Sequence, residues 1–252
     1  MKTFEIEELV KKYNPNLFDD FCMEFGGKAT NLIDIKYNME SLSLPRTLVV
    51  PYYSVDVLEK ENVLPFFDDK DMLIMRSSSN IEKGKDNSAS GLGTSVKFNL
   101  LKDDIKRIAS FVLKSFSSRY LDEYLKMRNL NTTVQISILI QQYIQAEYSG
   151  VFLTKGRGEF YDNFIISLSD TESNYSITSG SKNAIEFVLS RYSGSILEVL
   201  NNDENILNQK LTDLIKTAFN IGMDIEECKK NPVIVEWVYN NSLFYILQVQ
   251  TY

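Results

Sequence analysis

The periodicity of the apolar residues changes midway along the chain, and this constrains the fold more than any other feature. Up to about residue 133 the patterns are mostly helical around a few short strands. Beyond it they are mostly strands with one helix. Phe4 to Tyr13 has helical spacing and ends at Asn14-Pro15. Leu44-Pro-Arg-Thr-Leu-Val-Val turns into a short strand, and Tyr53 to Glu61 reads as a helix. Met72-Leu-Ile-Met-Arg is a buried strand running into three serines. Asn80 to Thr94, rich in Gly, Ser, Lys, Asp and Asn, reads as a polar loop. Leu101 to Met127 predicts a helix with a break near Ser117.

In the second half, Val134 to Tyr143 is β-rich, Gly150 to Leu153 begins another strand, and Phe164 to Leu168 and Tyr175 to Thr178 continue the pattern. Ile206 to Ile221 is amphipathic, with Leu207, Leu211, Leu214, Ile215 and Phe219 on the side of Ile206. Val233 to Tyr239 and Leu243 to Val249 close the chain as two strands joined at Asn240-Asn241, a hairpin signal. No internal repeat or long linker separates the halves. The expectation is an α+β protein of two lobes, residues 1–133 and 134–252, with a cleft between them.

The chain contains no histidine. That excludes a histidine general base, a Ser-His triad, a histidine zinc ligand and a phosphohistidine on these 252 residues. Cys22 and Cys228 are far apart, with no CxxC spacing for a structural zinc. The net charge is -7, unsuited to non-specific nucleic-acid binding, although a local basic pocket for a small anion is compatible with it. The N-terminus is charged throughout, and the longest uncharged stretch, Asn129 to Ala146, is broken by Asn, Thr and Gln. Neither reads as a signal or a membrane span. A cytoplasmic, soluble protein is expected.

Five places carry residues suited to chemistry. Gly26-Gly27-Lys28 precedes a helical pattern, where backbone N–H groups and a lysine charge suit an anion. A plain glycine turn with a solvated lysine gives the same letters. Arg76 ends an apolar strand, where it faces a ligand or pairs with a carboxylate. The following Ser77, Ser78 and Ser79 are phosphate donors or simply the strand's end. Ser90-Gly91-Leu92-Gly93-Thr94-Ser95 suits closure over phosphates, without the Gly-Lys-Ser/Thr of a P-loop.

Glu236 sits in Val233-Ile-Val-Glu-Trp-Val-Tyr, between Ile234 and Val238 on its own face. A carboxylate there calls for a partner or a hard cation such as magnesium. Gln248 and Gln250 share one face of the last strand. A two-residue turn at Asn240-Asn241 places Glu236 opposite Tyr245, on the other face from Gln248. A three-residue loop through Ser242 places it opposite Ile246, on Gln248's face. A functional Glu236 requires Gln248's face.

The order of these signals resembles the ATP-binding domain of pyruvate phosphate dikinase and phosphoenolpyruvate synthase. The resemblance covers nearly the whole chain. It runs through Gly26-Gly-Lys-Ala-Thr-Asn-Leu, Leu44-Pro with Val49-Val50, Met75-Arg-Ser-Ser-Ser, Ser90-Gly-Leu-Gly-Thr-Ser and Phe116-Ser-Ser-Arg-Tyr. It continues through Ile140-Gln-Gln-Tyr-Ile-Gln-Ala-Glu-Tyr-Ser-Gly-Val-Phe-Leu-Thr, Val235-Glu-Trp and Leu247-Gln-Val-Gln. It implies an ATP-grasp fold with ATP held between two lobes. It also implies that Lys28 and Arg76 grip the phosphates and stabilise the transferring group. Gly91, Gly93, Thr94 and Ser95 would close over them. Gln141, Tyr143 and Ile144 would line the adenine pocket, Glu236 would hold Mg2+, and Gln248 would contact the nucleotide. Family members pass a phosphoryl or pyrophosphoryl group from ATP to a histidine on a swinging domain, for onward transfer to pyruvate or another acceptor. Related enzymes phosphorylate an antibiotic hydroxyl or a glutamine side-chain amide.

Three departures stand out. The family's acidic residue two before the glutamate is Ile234, and its arginine two after the glutamine is Gln250. Ser169-Asp-Thr-Glu-Ser stands near the place of a Gly-Leu-Gly-Glu stretch. The chain also stops just after the last ATP-binding strand, so a histidine-bearing phosphocarrier and an acceptor domain are expected on a separate chain or a further part. The leading expectation is an ATP- and Mg2+-dependent phosphotransferase module. The alternatives are a nucleotide-binding regulator without turnover and a direct small-molecule kinase.

Overall fold

The computed structural model describes residues 2–68, 70–82, 93–116, 119–169, 184–200 and 207–252. The chain divides into two compact units, Met1–Tyr143 and Ile144–Tyr252. Both combine helices with an antiparallel sheet, so the α+β class expected from the sequence is the class observed.

In the first unit, β1 (Phe4–Glu5) leads into α1 (Ile6–Lys12), α2 (Phe18–Phe25) and α3 (Gly27–Asn38). Then come β2 (Thr47–Val50), β3 (Met72–Ser79), β4 (Ser95–Asn99), α4 (Ile105–Lys114), α5 (Arg119–Met127) and β5 (Ile136–Gln142). The sheet order is β1-β2-β5-β3-β4. β5 pairs with β2 on one side and β3 on the other, at the centre of this sheet. The division therefore falls ten residues beyond the 133/134 position read from the sequence, since a central strand cannot leave its sheet without breaking two ladders.

One face of this sheet presents Leu48, Val50, Leu73, Met75, Phe98, Ile138 and Ile140 to a core closed by Ile105, Ala109 and Val112 of α4. Strand alternation puts Thr47, Val49, Ile74, Arg76, Ser95, Lys97, Leu139 and Gln141 on the opposite face. α2 and α3 pack on β3, and α2 also on β5.

Two local expectations change. Tyr53 to Glu61 forms 3-10 turns, Tyr52–Val57 and Lys60–Asn62, instead of an α-helix. The buried Val55 and Leu58 are three residues apart, which matches a three-residue turn. The Asn62 side chain accepts from Glu59 N at 3.1 Å and closes the second turn. The strand at Met72 continues through all three serines, because β5 pairs them as far as Ser79↔Ile136.

In the second unit, β6 (Tyr148–Leu153), β7 (Asn163–Ser169), β8 (Ile185–Ser190) and β9 (Ile196–Leu200) precede α6 (Gln209–Lys229), β10 (Val233–Asn240) and β11 (Leu243–Thr251). The sheet order is β11-β10-β6-β7-β8-β9. α6 starts at Asn208, whose side chain accepts from Leu211 N at 2.9 Å, and ends at Lys230 in the left-handed region. It lies on the face carrying Phe152 and Phe164. Gly222 makes the seat, since a Cβ there would stand 2.7 Å from the Phe164 ring. Tyr175 to Thr178 and Ile206 lie outside the described residues.

Candidate functional site

In the first unit the glycine pair does steric work. Gly26 has φ +79°, a backbone conformation that favours glycine. A Cβ at Gly26 would stand 2.1 Å from the Ser78 carbonyl oxygen, and one at Gly27 would stand 2.0 Å from that of Glu82. The two glycines thus let the first turn of α3 rest directly on the end of β3. Ala29 N donates to Ser78 Oγ at 3.1 Å, which caps the helix from the strand.

This contact delivers Lys28 to Glu82. The Lys28 ammonium forms an ion pair with Glu82 Oε1, while Glu82 Oε2 accepts from Ser79 N at 2.8 Å. The lysine side chain is 15% exposed and the glutamate 7%, so the pair is largely withdrawn from water. Of the two sequence readings of Lys28, a solvated lysine does not hold. Burial pushes the Tyr124 phenol of α5 upward, with Arg128 opposing and Glu82 adding to the shift.

Arg76 is buried on β3, facing Leu139 of β5 and Ser95 of β4. Its Nη1 lies 3.5 Å from Gln141 Oε1, and Gln141 Nε2 donates to Thr47 Oγ1 at 3.1 Å. Gln141 is therefore a buried link between Thr47 and the guanidinium. Tyr143 N donates to Met72 O at 2.8 Å, and the Lys97 ammonium stands 3.6 Å from the centre of the Tyr143 ring. Gly93 lies over Ser77, where a Cβ would stand 2.2 Å from its Oγ. Thr94 N donates to Ser115 Oγ at 3.1 Å. Gly91 lies outside the described residues, and Ile144 begins the second unit.

In the second unit the closing hairpin decides the place of Glu236. The turn is Asn241-Ser242, both at positive φ, between the paired Asn240 and Leu243. This is a two-residue loop one step later than Asn240-Asn241. The register holds to Trp237↔Ile246, then slips by one at a bulge between Glu236 and Trp237. Beyond it Glu236 faces Gln248, and Ile234 faces Gln250. Neither register drawn from the sequence occurs, but the required outcome does: Glu236 shares a face with Gln248. On its other side Glu236 faces Val151 of β6. Trp237 is fully buried on the reverse face, against Gly150, and stacks on Phe244 with centroids 4.5 Å apart.

Further along Glu236's face, Ser167 Oγ donates to Glu186 Oε1 at 3.0 Å. Among the described residues no group of three or more His, Cys, Asp or Glu side chains is placed to hold a metal ion. One carboxylate beside a carboxamide is a hard oxygen donor set. It fits Mg2+ that keeps several waters and takes its remaining ligands from phosphates.

Sequence reading missed Glu82 and Lys97. For Glu82 the signal is Ser79-Asn-Ile-Glu82, the spacing at which a glutamate reaches back to an N–H three residues earlier. For Lys97 it is the alternation Ser95-Val-Lys97 directly after the glycine loop.

No protein-family model and no curated protein matches this sequence. Several solved structures are similar to this chain over most of its length. D-alanine–D-alanine ligase from Bacillus anthracis complexed with ATP is 14% identical with a TM-score of 0.44, over 93% of this chain and 56% of that one. PH1788 from Pyrococcus horikoshii is 12% identical with a TM-score of 0.47, over 97% of this chain and 94% of that one. L-amino acid ligase from Bacillus licheniformis is 9% identical with a TM-score of 0.41, over 95% of this chain and 42% of that one. The chain thus spans little more than half the length of the Bacillus anthracis ligase. Among the described residues no helix is long and apolar enough to cross a membrane.

Proposed function

We propose that the chain is an ATP-grasp nucleotide-binding module that takes ATP with Mg2+ and passes a phosphoryl or pyrophosphoryl group to an acceptor. In this reading Lys28 and Arg76 of the first unit hold the phosphates, and Gly93, Thr94 and Ser95 add main-chain and hydroxyl donors. Tyr143 and Ile144 meet the adenine. Glu236 and Gln248 of the second unit hold Mg2+ and the nucleotide. The bound Mg2+ would neutralise charge on the phosphates, while the two cations oppose charge developing on the transferring group. The observation that carries the reading is the slip that brings Glu236 opposite Gln248. Without it the carboxylate and the carboxamide are on opposite faces.

The first acceptor is a histidine on another domain or chain, as the family resemblance implies. The chain has no histidine of its own. A second reading, nucleotide binding without turnover, is favoured by one specific observation. Ile234 and Gln250 stand opposite each other where the resembled family carries an acid and an arginine, so both charges are missing from one cross-strand pair.

Calorimetric titration with ATP, with and without Mg2+, beside Lys28→Ala, tests the reading. Mg2+-dependent binding that is weakened but still measurable in the variant supports it, and equal binding by both proteins sinks it. Phosphorus NMR of the mixture with a histidine phosphocarrier, or with amino acids, then separates the chemistry. AMP or ADP with phosphohistidine supports the leading reading. ADP formed only with a small acceptor points to direct kinase or ligase chemistry. Binding with neither product supports the regulator.

A further inference from the structure

The buried partner of Lys28 has a role of its own. Resting on the nucleotide reading above, we infer that Glu82 is the positioning residue for Lys28, fixing where its ammonium meets the phosphates. Three observations carry this. The carboxylate is immobilised at both oxygens, by Ser79 N on Oε2 and by the Lys28 ammonium on Oε1. The backbone under it is locked, since Glu82 N donates to Ser79 O at 3.1 Å and Ile81 N to Ser79 Oγ at 3.4 Å. Gly27 has no Cβ where one would stand 2.0 Å from the Glu82 carbonyl oxygen, so α3 can approach only because residue 27 is glycine.

A lysine has four rotatable side-chain bonds, and a free one reaches an anion only after giving up that freedom. Here the freedom is given up on folding. The ammonium is pinned beside the end of β3, two residues beyond the Gly26 turn and on the helix that Ser78 caps. Glu82 touches Lys28 and the main chain, so it acts on a ligand through the lysine.

A double-mutant cycle tests this with MgATP as the probe. Glu82→Met keeps the volume and removes the acceptor. Glu82→Asp keeps the charge but withdraws it by one methylene. Each is made with Lys28 present and in Lys28→Met, and folding is checked by circular dichroism. With Lys28 present, Glu82→Asp is expected to weaken MgATP about fivefold and Glu82→Met about tenfold or more. In Lys28→Met neither changes affinity further. Equal losses in the two backgrounds would mean that Glu82 supports the fold generally, and would overturn the inference while leaving the nucleotide reading in place. Wild-type protein that takes up no MgATP would overturn both. Should Glu82→Met not fold, Glu82→Asp alone decides.

Discussion

Glu236 and Gln248 are cross-strand partners only because the ladder slips by one residue. Counted from the turn, the register Trp237↔Ile246 would set Glu236 against Leu247; the bulge sets it against Gln248 instead. A bulge adds one residue to one strand and re-aims the side chains beyond it. Here it transfers Gln248 and Gln250 to the face of Glu236 and Ile234, and it brings Val235 and Val249 together as a buried pair behind them. The polar pair and the core pair are satisfied by the same slip.

Glu236→Gln is therefore expected to separate metal dependence from folding. The variant keeps shape and a hydrogen-bonding oxygen but loses the charge that Mg2+ requires. MgATP affinity should fall about tenfold, toward that for ATP without metal, as for the loss of about 1.5 kcal/mol from one charged contact. The melting temperature should change little, because the carboxamide keeps the shape of the carboxylate and one accepting oxygen. Calorimetry with and without Mg2+ decides, and unchanged Mg2+ dependence would remove Glu236 from the metal.

The glycine pair makes a different prediction, about stability. Gly27→Ala places a methyl 2.0 Å from a backbone oxygen of Glu82, which no rotamer change relieves. Gly26→Ala adds the strain of φ +79°. Each should cost about 3 kcal/mol or more, as for overpacking of a rigid contact. Gly158→Ala is the control, because at φ +60° it carries the strain but meets nothing within 4 Å. Urea denaturation of the three variants should rank Gly158→Ala as the mildest by a wide margin. Equal costs would mean that the approach of α3 to β3 is soft.

These two sites show what the sequence makes legible. The α+β class and the candidates Lys28, Arg76, Glu236 and Gln248 are readable from apolar periodicity and from polar residues set in apolar runs. What Lys28 touches is not readable, because Glu82 is 54 residues away in sequence and is brought near by packing. The bulge is equally hidden, since hairpin register is a tertiary compromise between turn geometry and the core facing of Trp237 and Val235. β4, β8 and β9 are missed for a different reason. Edge and near-edge strands such as Ser95–Asn99 and Ile196–Leu200 are only five residues long, so even the alternation of Ser95-Val-Lys-Phe-Asn is too short to stand out beside a polar loop.

Tyr53 supplies a titration that needs no ligand. Burial first, then the hydrogen bond to Glu24 at 2.7 Å and the charges of Glu24 and Tyr52, push its phenol from 10.0 up to about 12. A pKa raised by folding stabilises the fold fully below the unfolded value. That contribution is lost as pH climbs from about 10 through about 12. Tyr53→Phe should remove one phenolate from the high end of the ultraviolet titration and leave the ordinary range intact. Glu24→Gln should lower the Tyr53 value, since it removes the charge that the phenol donates to. Loss of a tyrosine titrating near its ordinary value would contradict the contact.

The opposed Ile234 and Gln250 give the prediction that bears most on turnover. Ile234 also faces Leu153 on β6, so Ile234→Asp alone sets a carboxylate between an apolar neighbour and a carboxamide. It should destabilise by about 1–3 kcal/mol. Gln250→Arg alone sits on the edge strand β11 and should change stability by no more than about 0.5 kcal/mol. Made together they form a direct cross-strand ion pair, which should recover about 0.2–1 kcal/mol of the first cost. The nucleotide readout separates the two readings of function. A guanidinium beside Gln248 adds a charged donor to phosphate, and about 1.5 kcal/mol for one such bond is roughly tenfold in MgATP affinity. If the missing charge is also what prevents turnover, the double variant forms ADP or AMP with an acceptor when the wild type forms none. If wild type and double variant turn over alike, the neutral pair is a tolerated replacement and the chain is an enzyme as it stands.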